Sequence, residues 1–262
     1  MRKALIILEK EWLELRGERT LWMTILIPPL LLTILPIVAV YLIGVTPDED
    51  SGQLGAVIAD PSFAGLSDME LGQAVMGKQF GLMFLIMPLL IPSAIASYSI
   101  VGEKTRRTLE PLLAAPIQTW ELLLGKCLAS LVPAIVISWG AALIFVLALR
   151  LVVLSDQVYR VILGGGWWVL LLLGSPSLAL LMVAATVAIS GRVNDPRTAQ
   201  QVAAVVVVPI LALFIAQLLG VVVLTPLLAF IASAALAFLA ALSFAGAIVL
   251  FDRENILTRW TS

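Results

Sequence analysis

Long runs of apolar residues, separated by short polar segments, dominate the chain. A helix needs roughly 20 mostly apolar residues to cross a bilayer. Six runs have this length, so the pattern predicts an all-α polytopic membrane protein with six transmembrane helices. The predicted transmembrane domain covers residues 21–251, with spans at about 21–44, 79–101, 127–154, 166–190, 202–224 and 226–251.

The residues before the first span have a different pattern. Leu5, Leu8, Trp12 and Leu15 share one face of a helical wheel, and the opposite face is polar except for Ile7. Charges interrupt the apolar positions, so this is not a cleavable signal peptide. Residues 1–20 are therefore predicted to form an interfacial helix on the membrane surface, and a solvated cytosolic helix remains the alternative.

Basic residues are distributed unequally between the two ends of the predicted spans. Of the 16 Lys and Arg, 13 lie in the N-terminal segment, the linkers after the second and fourth spans, and the tail 252–262. The positive-inside rule places these segments in the cytoplasm. We therefore expect a multi-pass protein of the inner (plasma) membrane whose N- and C-termini are both cytoplasmic.

The composition argues against several function classes. The chain is 61% hydrophobic, has no histidine and places no charged residue in the middle of a predicted span. Ion-coupled carriers usually keep ionisable groups near the midplane, and intramembrane metalloproteases need His and carboxylate ligands. Both classes are disfavoured, and we expect no metal site and no enzymatic activity of the chain itself. Nothing in the sequence indicates a nucleic-acid partner.

The glycine-rich stretch GGGWW, residues 164–168, is not a phosphate-binding loop, because no Gly-Lys-Ser/Thr follows it. It is predicted to be a flexible external turn in which Trp167 and Trp168 anchor the fourth span at the membrane interface. The chain thus shows no nucleotide site.

The linker 103–126, EKTRRTLEPLLAAPIQTWELLLGK, carries local helix signals on the predicted cytoplasmic side. Thr108 is a suitable N-cap, and Pro116 ends the helical pattern. Leu109, Leu112 and Leu113 would share one side of this short helix. Such a helix either floats at the lipid headgroups or inserts its leucines into a groove of another protein.

This linker resembles, without a gap, the cytoplasmic loop of ABC exporter permeases of the second (ABC-two) type. The shared pattern is Glu-x-x-x-x-Thr-Leu-Glu-x-Leu-Leu-x-x-Pro-Ile, followed by Glu121 and Gly125-Lys126. A second similarity lies in the loop after the fourth span, where DPRTAQQ contains Asp195, Arg197, Gln200 and Gln201. Asp195 before Pro196 is also a good helix start in its own right.

The resemblance implies a type V ABC exporter-like fold in which the short helix is a coupling helix that docks on a separate ATP-binding subunit. The residues expected to contact that subunit are Arg106, Arg107, Thr108, Leu109, Glu110, Leu112, Leu113 and Pro116. Those expected to anchor the coupling helix are Glu103, Glu121 and Lys126.

The resemblance also implies partners and cofactors. We expect this chain to form a homodimer or to pair with a similar permease among the membrane lipids, together with ABC ATPase subunits. ATP and Mg would bind on those subunits and no cofactor on this chain. The expected cargo of the exporter is a lipid, drug, glycan or ion. A non-transport membrane scaffold or assembly factor of the same fold stays open, and so does a secondary carrier.

Overall fold

The structure is a computed structural model that describes residues 2–45, 61–105, 118–190, 193, 195–218 and 225–250. Within these residues the chain is helical and forms no strand. In the described part of the chain, six helical segments are long and apolar enough to cross a membrane, which confirms the predicted all-α, six-span class. They are Leu21–Val45, Asp68–Ser99, Trp120–Val152, Gly165–Ser190, Arg197–Gln217 and Pro226–Ile248.

The helices are numbered here in chain order. The first half of the chain contains α1 (Arg2–Gly17), α2 (Arg19–Val45), α3 (Asp68–Gly81), α4 (Met87–Thr105) and α5 (Thr119–Val152). The second half contains α6 (Asp156–Ile162), α7 (Gly165–Val169), α8 (Ser175–Ser190), α9 (Pro196–Ala203), α10 (Val208–Leu218) and α11 (Pro226–Leu250). A 3-10 turn joins α3 to α4, and a π-helical turn, Leu170–Gly174, joins α7 to α8.

The second long helix begins at Asp68, whereas the apolar pattern starts this span at residue 79. Ser67 explains the earlier start, because its backbone N–H and its hydroxyl both donate to Glu70 Oε2, at 2.9 and 2.8 Å. Both bonds join the N-cap residue to the first turn of α3 and so fix the start of the helix there. Part of the segment between the first two predicted spans is therefore helical and packs against α2 and α6.

Helix α5 defines the two ends of the bundle. Its 34 residues correspond to about 51 Å at a rise of 1.5 Å per residue. This length exceeds the roughly 30 Å hydrocarbon core of a bilayer. The first turns of α5 pack against α1, and its last turn is followed by α6. We call these two ends the α1 end and the α6 end.

Trp167 differs from its predicted position. The residues from Gly165 onward form α7, and the Trp167 side chain is only 8% exposed. Its ring lies 6.3 Å from the ring centroids of both Phe84 and Phe145. Gly81 makes room for it, since a Cβ there would lie 2.9 Å from Trp167 Cδ1. Trp167 is thus a core residue rather than an interfacial anchor, and that prediction was wrong, whereas its neighbour Trp168 is exposed.

The outer surface of the spans is apolar. Large hydrophobic side chains are exposed along α2, α5, α10 and α11. In water, an exposed apolar surface of this extent would be unfavourable, and lipid tails or another membrane helix are its natural neighbours. On α2 these residues are Met23, Leu26, Ile27, Leu30, Leu31, Ile34, Leu35, Val38, Tyr41, Leu42 and Val45.

Candidate functional site

The segment predicted to contact an ATPase subunit lies outside the described residues. This applies to Arg106, Arg107, Thr108, Leu109, Glu110, Leu112, Leu113 and Pro116. Both flanks of the segment are described, because α4 ends at Thr105 and α5 begins at Thr119. The candidate site is therefore built from these flanks and from the helix that packs against them.

Lys126 lies at the centre of the site. Its Nζ is 2.7 Å from Glu103 Oε2 and 2.7 Å from Glu11 Oε1, and it donates a hydrogen bond to Ser99 Oγ at 2.8 Å. Lys126, Glu11 and Glu103 are all at most 5% exposed. Ser99 and Glu103 are four residues apart on α4 and so share one helix face. One ammonium group thus joins α1, α4 and α5.

Lys10 supplies a second positive charge to the same cluster. This half-buried residue bonds to the Glu103 carboxylate, and its Nζ lies 3.1 Å from Glu14 Oε1 and 3.6 Å from Glu11 Oε1. We call the group of Lys10, Glu11, Glu103 and Lys126 the charged junction. Two cations there balance two carboxylates, and Glu14 lies at its exposed rim. Burial of ions is tolerated when they are paired in this way.

The charged forms of Glu11 and Lys10 are stabilised by their neighbours. Burial by itself raises the pKa of Glu11, but the charge and hydrogen bond of Lys126 outweigh it and bring the pKa below its ordinary value. Burial likewise lowers the pKa of Lys10, and the hydrogen bond and charge of Glu103 raise it above the ordinary value. Both groups are therefore ionised at neutral pH.

Three carboxylates of this region, from Glu11, Glu14 and Glu103, lie within 4.8 Å of one another. Carboxylates in such a group can bind a hard cation. Here the ammonium groups of Lys10 and Lys126 already provide the compensating positive charge. The arrangement is therefore a charge-balanced salt-bridge network.

Gly125 allows α1 to approach α5 closely. A Cβ at this position would lie 2.8 Å from Ile7 Cβ and 2.9 Å from the backbone oxygen of Ala4. Ile7 is buried and packs with Leu122, Leu123 and Cys127 of α5 and with side chains of α8 and α11. The close approach places Glu11, one turn further along α1, within reach of Lys126. Gly125 and Lys126 are therefore adjacent parts of one contact.

Glu121 has a local role in the structure. Gln118 is the N-cap of α5, and its backbone N–H donates to Glu121 Oε2 at 3.4 Å. Glu121 thus lies in the first turn of α5, just after the part of the linker 103–126 that lies outside the described residues. It caps the helix that carries Lys126, as a carboxylate near a helix N-terminus generally does.

The second sequence motif forms the start of α9. Asp195 is the N-cap, and its Oδ2 accepts hydrogen bonds from the Thr198 backbone N–H at 2.8 Å and from the Thr198 hydroxyl at 3.0 Å. These bonds bring the pKa of Asp195 below its ordinary value. Arg197 and Gln201 are exposed, and Gln200 is half-buried. The motif packs through α9 on α4 and α8, and none of its four residues joins the charged junction.

Lys10, Glu11 and Ser99 are members of the site that the sequence did not predict. On the helical wheel, Ile7 interrupts the polar side of α1. In the structure, Ala4, Ile7 and Glu11 are all buried. Their spacing of three and four residues marks a second helix face. An isolated glutamate on such a face was the available signal, since a buried carboxylate requires a cationic partner.

Among the described residues, six helices long and apolar enough to span a membrane, with the charged junction at one end of the bundle, define a polytopic membrane protein. The family model described as "ABC-2 family transporter protein" matches residues 5–249, and the chain belongs to this family. Its members are the membrane permease subunits of ABC transporters, and membership implies pairing with an ABC ATPase subunit. A comparison with curated protein sequences gives no match.

Proposed function

We propose that this chain is the permease subunit of an ATP-driven exporter. It moves a lipid, drug, glycan or ion out of the cytoplasm, and it acts as a homodimer or together with a similar permease. ATP and Mg bind on a separate ATPase subunit, and the chain itself hydrolyses nothing. Membership of the ABC-2 family supports the transport role, and the absence of a phosphate-binding motif in the sequence supports a separate motor.

The ATPase subunit docks on the part of the linker 103–126 that lies between α4 and α5, which we call the coupling segment. Leu109, Leu112 and Leu113 fill a cleft in the subunit, and Arg106, Arg107 and Glu110 pair with charges at its rim. Thr108 and Pro116 set the ends of the short helix. This docking requires the α1 end to face the cytoplasm of an inner membrane, in agreement with the positive-inside distribution of Lys and Arg.

The charged junction is the single observation that carries the mechanism. Glu103 lies three residues before Arg106, and Lys126 lies in the second turn of α5. Their salt bridge, shared with Glu11, fixes both flanks of the coupling segment to each other and to α1. A displacement of the coupling segment is therefore passed to three helices together, and it is not absorbed by a flexible loop.

Reconstitution with the ATPase subunit tests this function without knowledge of the cargo. The purified chain in nanodiscs is mixed with a candidate P-loop ATPase subunit from the same organism, and subunit binding and the rate of ATP hydrolysis are measured. We expect the wild-type chain to bind the subunit and to change its hydrolysis rate. Leu112→Asp or Glu110→Lys should abolish the change while the chain remains inserted.

Leu154→Asp is the matched control, because Leu154 is an exposed leucine at the α6 end. It should bind and regulate the ATPase as the wild type does. Undiminished regulation in both coupling-segment variants would contradict the docking assignment. Binding without any change in hydrolysis, even for the wild type, would favour a scaffold over a transporter.

A further inference from the structure

A cavity opens at the α6 end of the bundle, far from the charged junction. Its volume is about 510 Å³, within the range of roughly 300–1,000 Å³ that is typical of small-molecule sites. Residues of α3, α6, α7 and α10 and the start of α11 line it. It therefore lies where several spans meet, at the edge of the membrane.

Among the described residues that line the cavity, the two charged ones are basic. Lys78 projects from α3 and Arg160 from α6, and none of the described lining residues is acidic. The Lys78 ammonium lies 5.1 Å from the Phe63 ring centroid and 3.4 Å from Ser62 Oγ. These contacts hold the Lys78 ammonium group beside the opening of the cavity. Two cations at one opening favour an anionic ligand, and arginine is well suited to a phosphate group.

The rest of the lining is largely apolar. Leu82, Trp167, Leu170 and Pro226 form much of the wall. Gln217 also lines the cavity, and its buried Oε1 has no hydrogen-bond partner among the described residues. An unpaired buried acceptor is unfavourable, so a ligand that brings a hydroxyl or amide donor would satisfy it. The lining therefore fits an amphiphile with an anionic polar head.

The position of the cavity indicates the source of such a ligand. Lys78 is ten residues into α3, about 15 Å along the helix at 1.5 Å per residue. Trp168, next to the lining residue Trp167, is exposed at the protein surface, as tryptophans at a membrane border often are. Both features place the cavity near one end of the bundle, where the headgroups and first acyl carbons of a surrounding bilayer would lie.

We propose that this cavity binds an anionic phospholipid from the leaflet at the α6 end, with Lys78 and Arg160 contacting its phosphate and the apolar wall contacting its glycerol and first acyl carbons. The site is separate from the coupling segment and does not depend on the transport proposal. It gives the α6 end a lipid ligand that the family assignment does not supply.

Native mass spectrometry of the chain released from nanodiscs that contain equal amounts of phosphatidylglycerol and phosphatidylcholine tests the proposal. The wild type should retain phosphatidylglycerol in preference to phosphatidylcholine. In the double variant K78Q/R160Q the preference should fall about tenfold, since a charge-assisted contact contributes at least 1.4 kcal/mol. R150Q is the matched control, because Arg150 is an exposed arginine of the same end that pairs with Asp156 and does not line the cavity.

A steric variant separates loss of charge from loss of the site. A Cβ at Gly165 would contact Pro226 Cγ at 3.5 Å, an ordinary distance, so a side chain can start there without a clash at its Cβ. Gly165→Leu should therefore narrow the cavity. It should reduce lipid retention while both cations remain. Retention of the two lipids in equal amounts by the wild type would overturn the proposal.

The proposal would also be overturned if R150Q lowered the preference for phosphatidylglycerol as much as K78Q/R160Q does. Unchanged retention of phosphatidylglycerol in both K78Q/R160Q and Gly165→Leu would overturn it as well. Excess inorganic phosphate distinguishes the two sources of the phosphate group. We expect it to leave the bound phosphatidylglycerol in place. Displacement of the lipid by phosphate alone would show that the cavity is a site for a soluble anion, against the lipid assignment.

Discussion

At the α1 end, buried charged side chains join α1, α4 and α5, whereas at the α6 end the buried polar contacts between helices come from uncharged glutamines. Gln73 Nε2 donates to the Val40 oxygen at 2.9 Å and lies 3.3 Å from the Val152 oxygen, and Gln73 Oε1 accepts from the Leu154 N–H at 3.0 Å. This one residue thus links α2, α3 and the end of α5. Gln79 similarly donates to the Phe214 oxygen on α10, at 3.1 Å.

The two kinds of contact differ in the free energy that is lost when one partner is removed. When one member of a buried ion pair is removed, the remaining charge is left uncompensated, and this is far more unfavourable than the loss of a neutral hydrogen bond. Helices at the α1 end therefore resist separation, while the α6 end combines neutral contacts with an open cavity. This arrangement suits a protein in which a force applied at the α1 end causes a rearrangement at the α6 end.

Replacement of the central lysine should have the largest effect. Lys126→Met leaves Glu11 and Glu103 buried beside each other, and we expect the free energy of unfolding in detergent to fall by about 3–5 kcal/mol. Lys126→Arg keeps the charge and should lose much less. Equal stability of Lys126→Met and the wild type would show that the junction is not a buried ion-pair network.

Gly125 tests whether the close packing of α1 on α5 is required. Gly125→Ala forces a methyl group against Ile7 Cβ and the Ala4 oxygen, and should lower the free energy of unfolding by about 2–3 kcal/mol. Gly140 of the same helix is the matched control, since a Cβ there meets nothing within 4 Å. Gly140→Ala should be neutral or slightly stabilising. Similar losses in the two alanine variants would contradict the close contact.

At the α6 end, Gln73→Leu removes the acceptor of the Leu154 N–H and the donor to the Val40 oxygen. The expected loss of unfolding free energy is about 1–2 kcal/mol, smaller than that of Lys126→Met because no charge is stranded. Gln157→Leu, which removes one exposed bond to the Ala64 oxygen, should change stability very little. A loss for Gln73→Leu as large as that for Lys126→Met would remove the contrast between the ends.

The smallest effect on stability is expected from lowering the pH. The folded-state pKa of Glu11 lies below its ordinary value of 4.5, so the folded state holds fewer protons than the unfolded state in this range. Its contribution to stability is present above pH 4.5 and is lost as the pH falls through the folded pKa, at no more than about 1.4 kcal/mol per pH unit for one proton.

Unfolding measured between pH 6 and the acid limit of the detergent, on the order of pH 3, should therefore show a steeper decline for the wild type than for Glu11→Gln. The variant has no proton to gain at this position. Parallel pH profiles for the two proteins would indicate that Glu11 is not held in its charged form by Lys126.

Local patterns were sufficient for the six spans and for the start of α9, because span length and the Asp195 cap are properties of neighbouring residues. The junction could be predicted only in part. Glu103 and Lys126 flank a recognisable segment, whereas Lys10 and Glu11 come from a helix about 90 to 115 residues away along the chain, and no local period records that contact. Trp167 was misassigned for the same reason, since its ring partners Phe84 and Phe145 lie on other helices.

We propose that the charged junction transmits ATP-driven motion, and the distance between spin labels at Gln157 and Leu227 tests this claim. Both are exposed sites beside the cavity at the α6 end. The complex with the ATPase subunit is compared in the nucleotide-free and ATP-bound states. We expect ATP to change this distance in the wild type. Glu103→Gln weakens the link between α4 and Lys126 but leaves the Lys126–Glu11 pair, so it should bind the ATPase normally and show little or no change. A full wild-type change in Glu103→Gln would contradict a role of the junction in coupling.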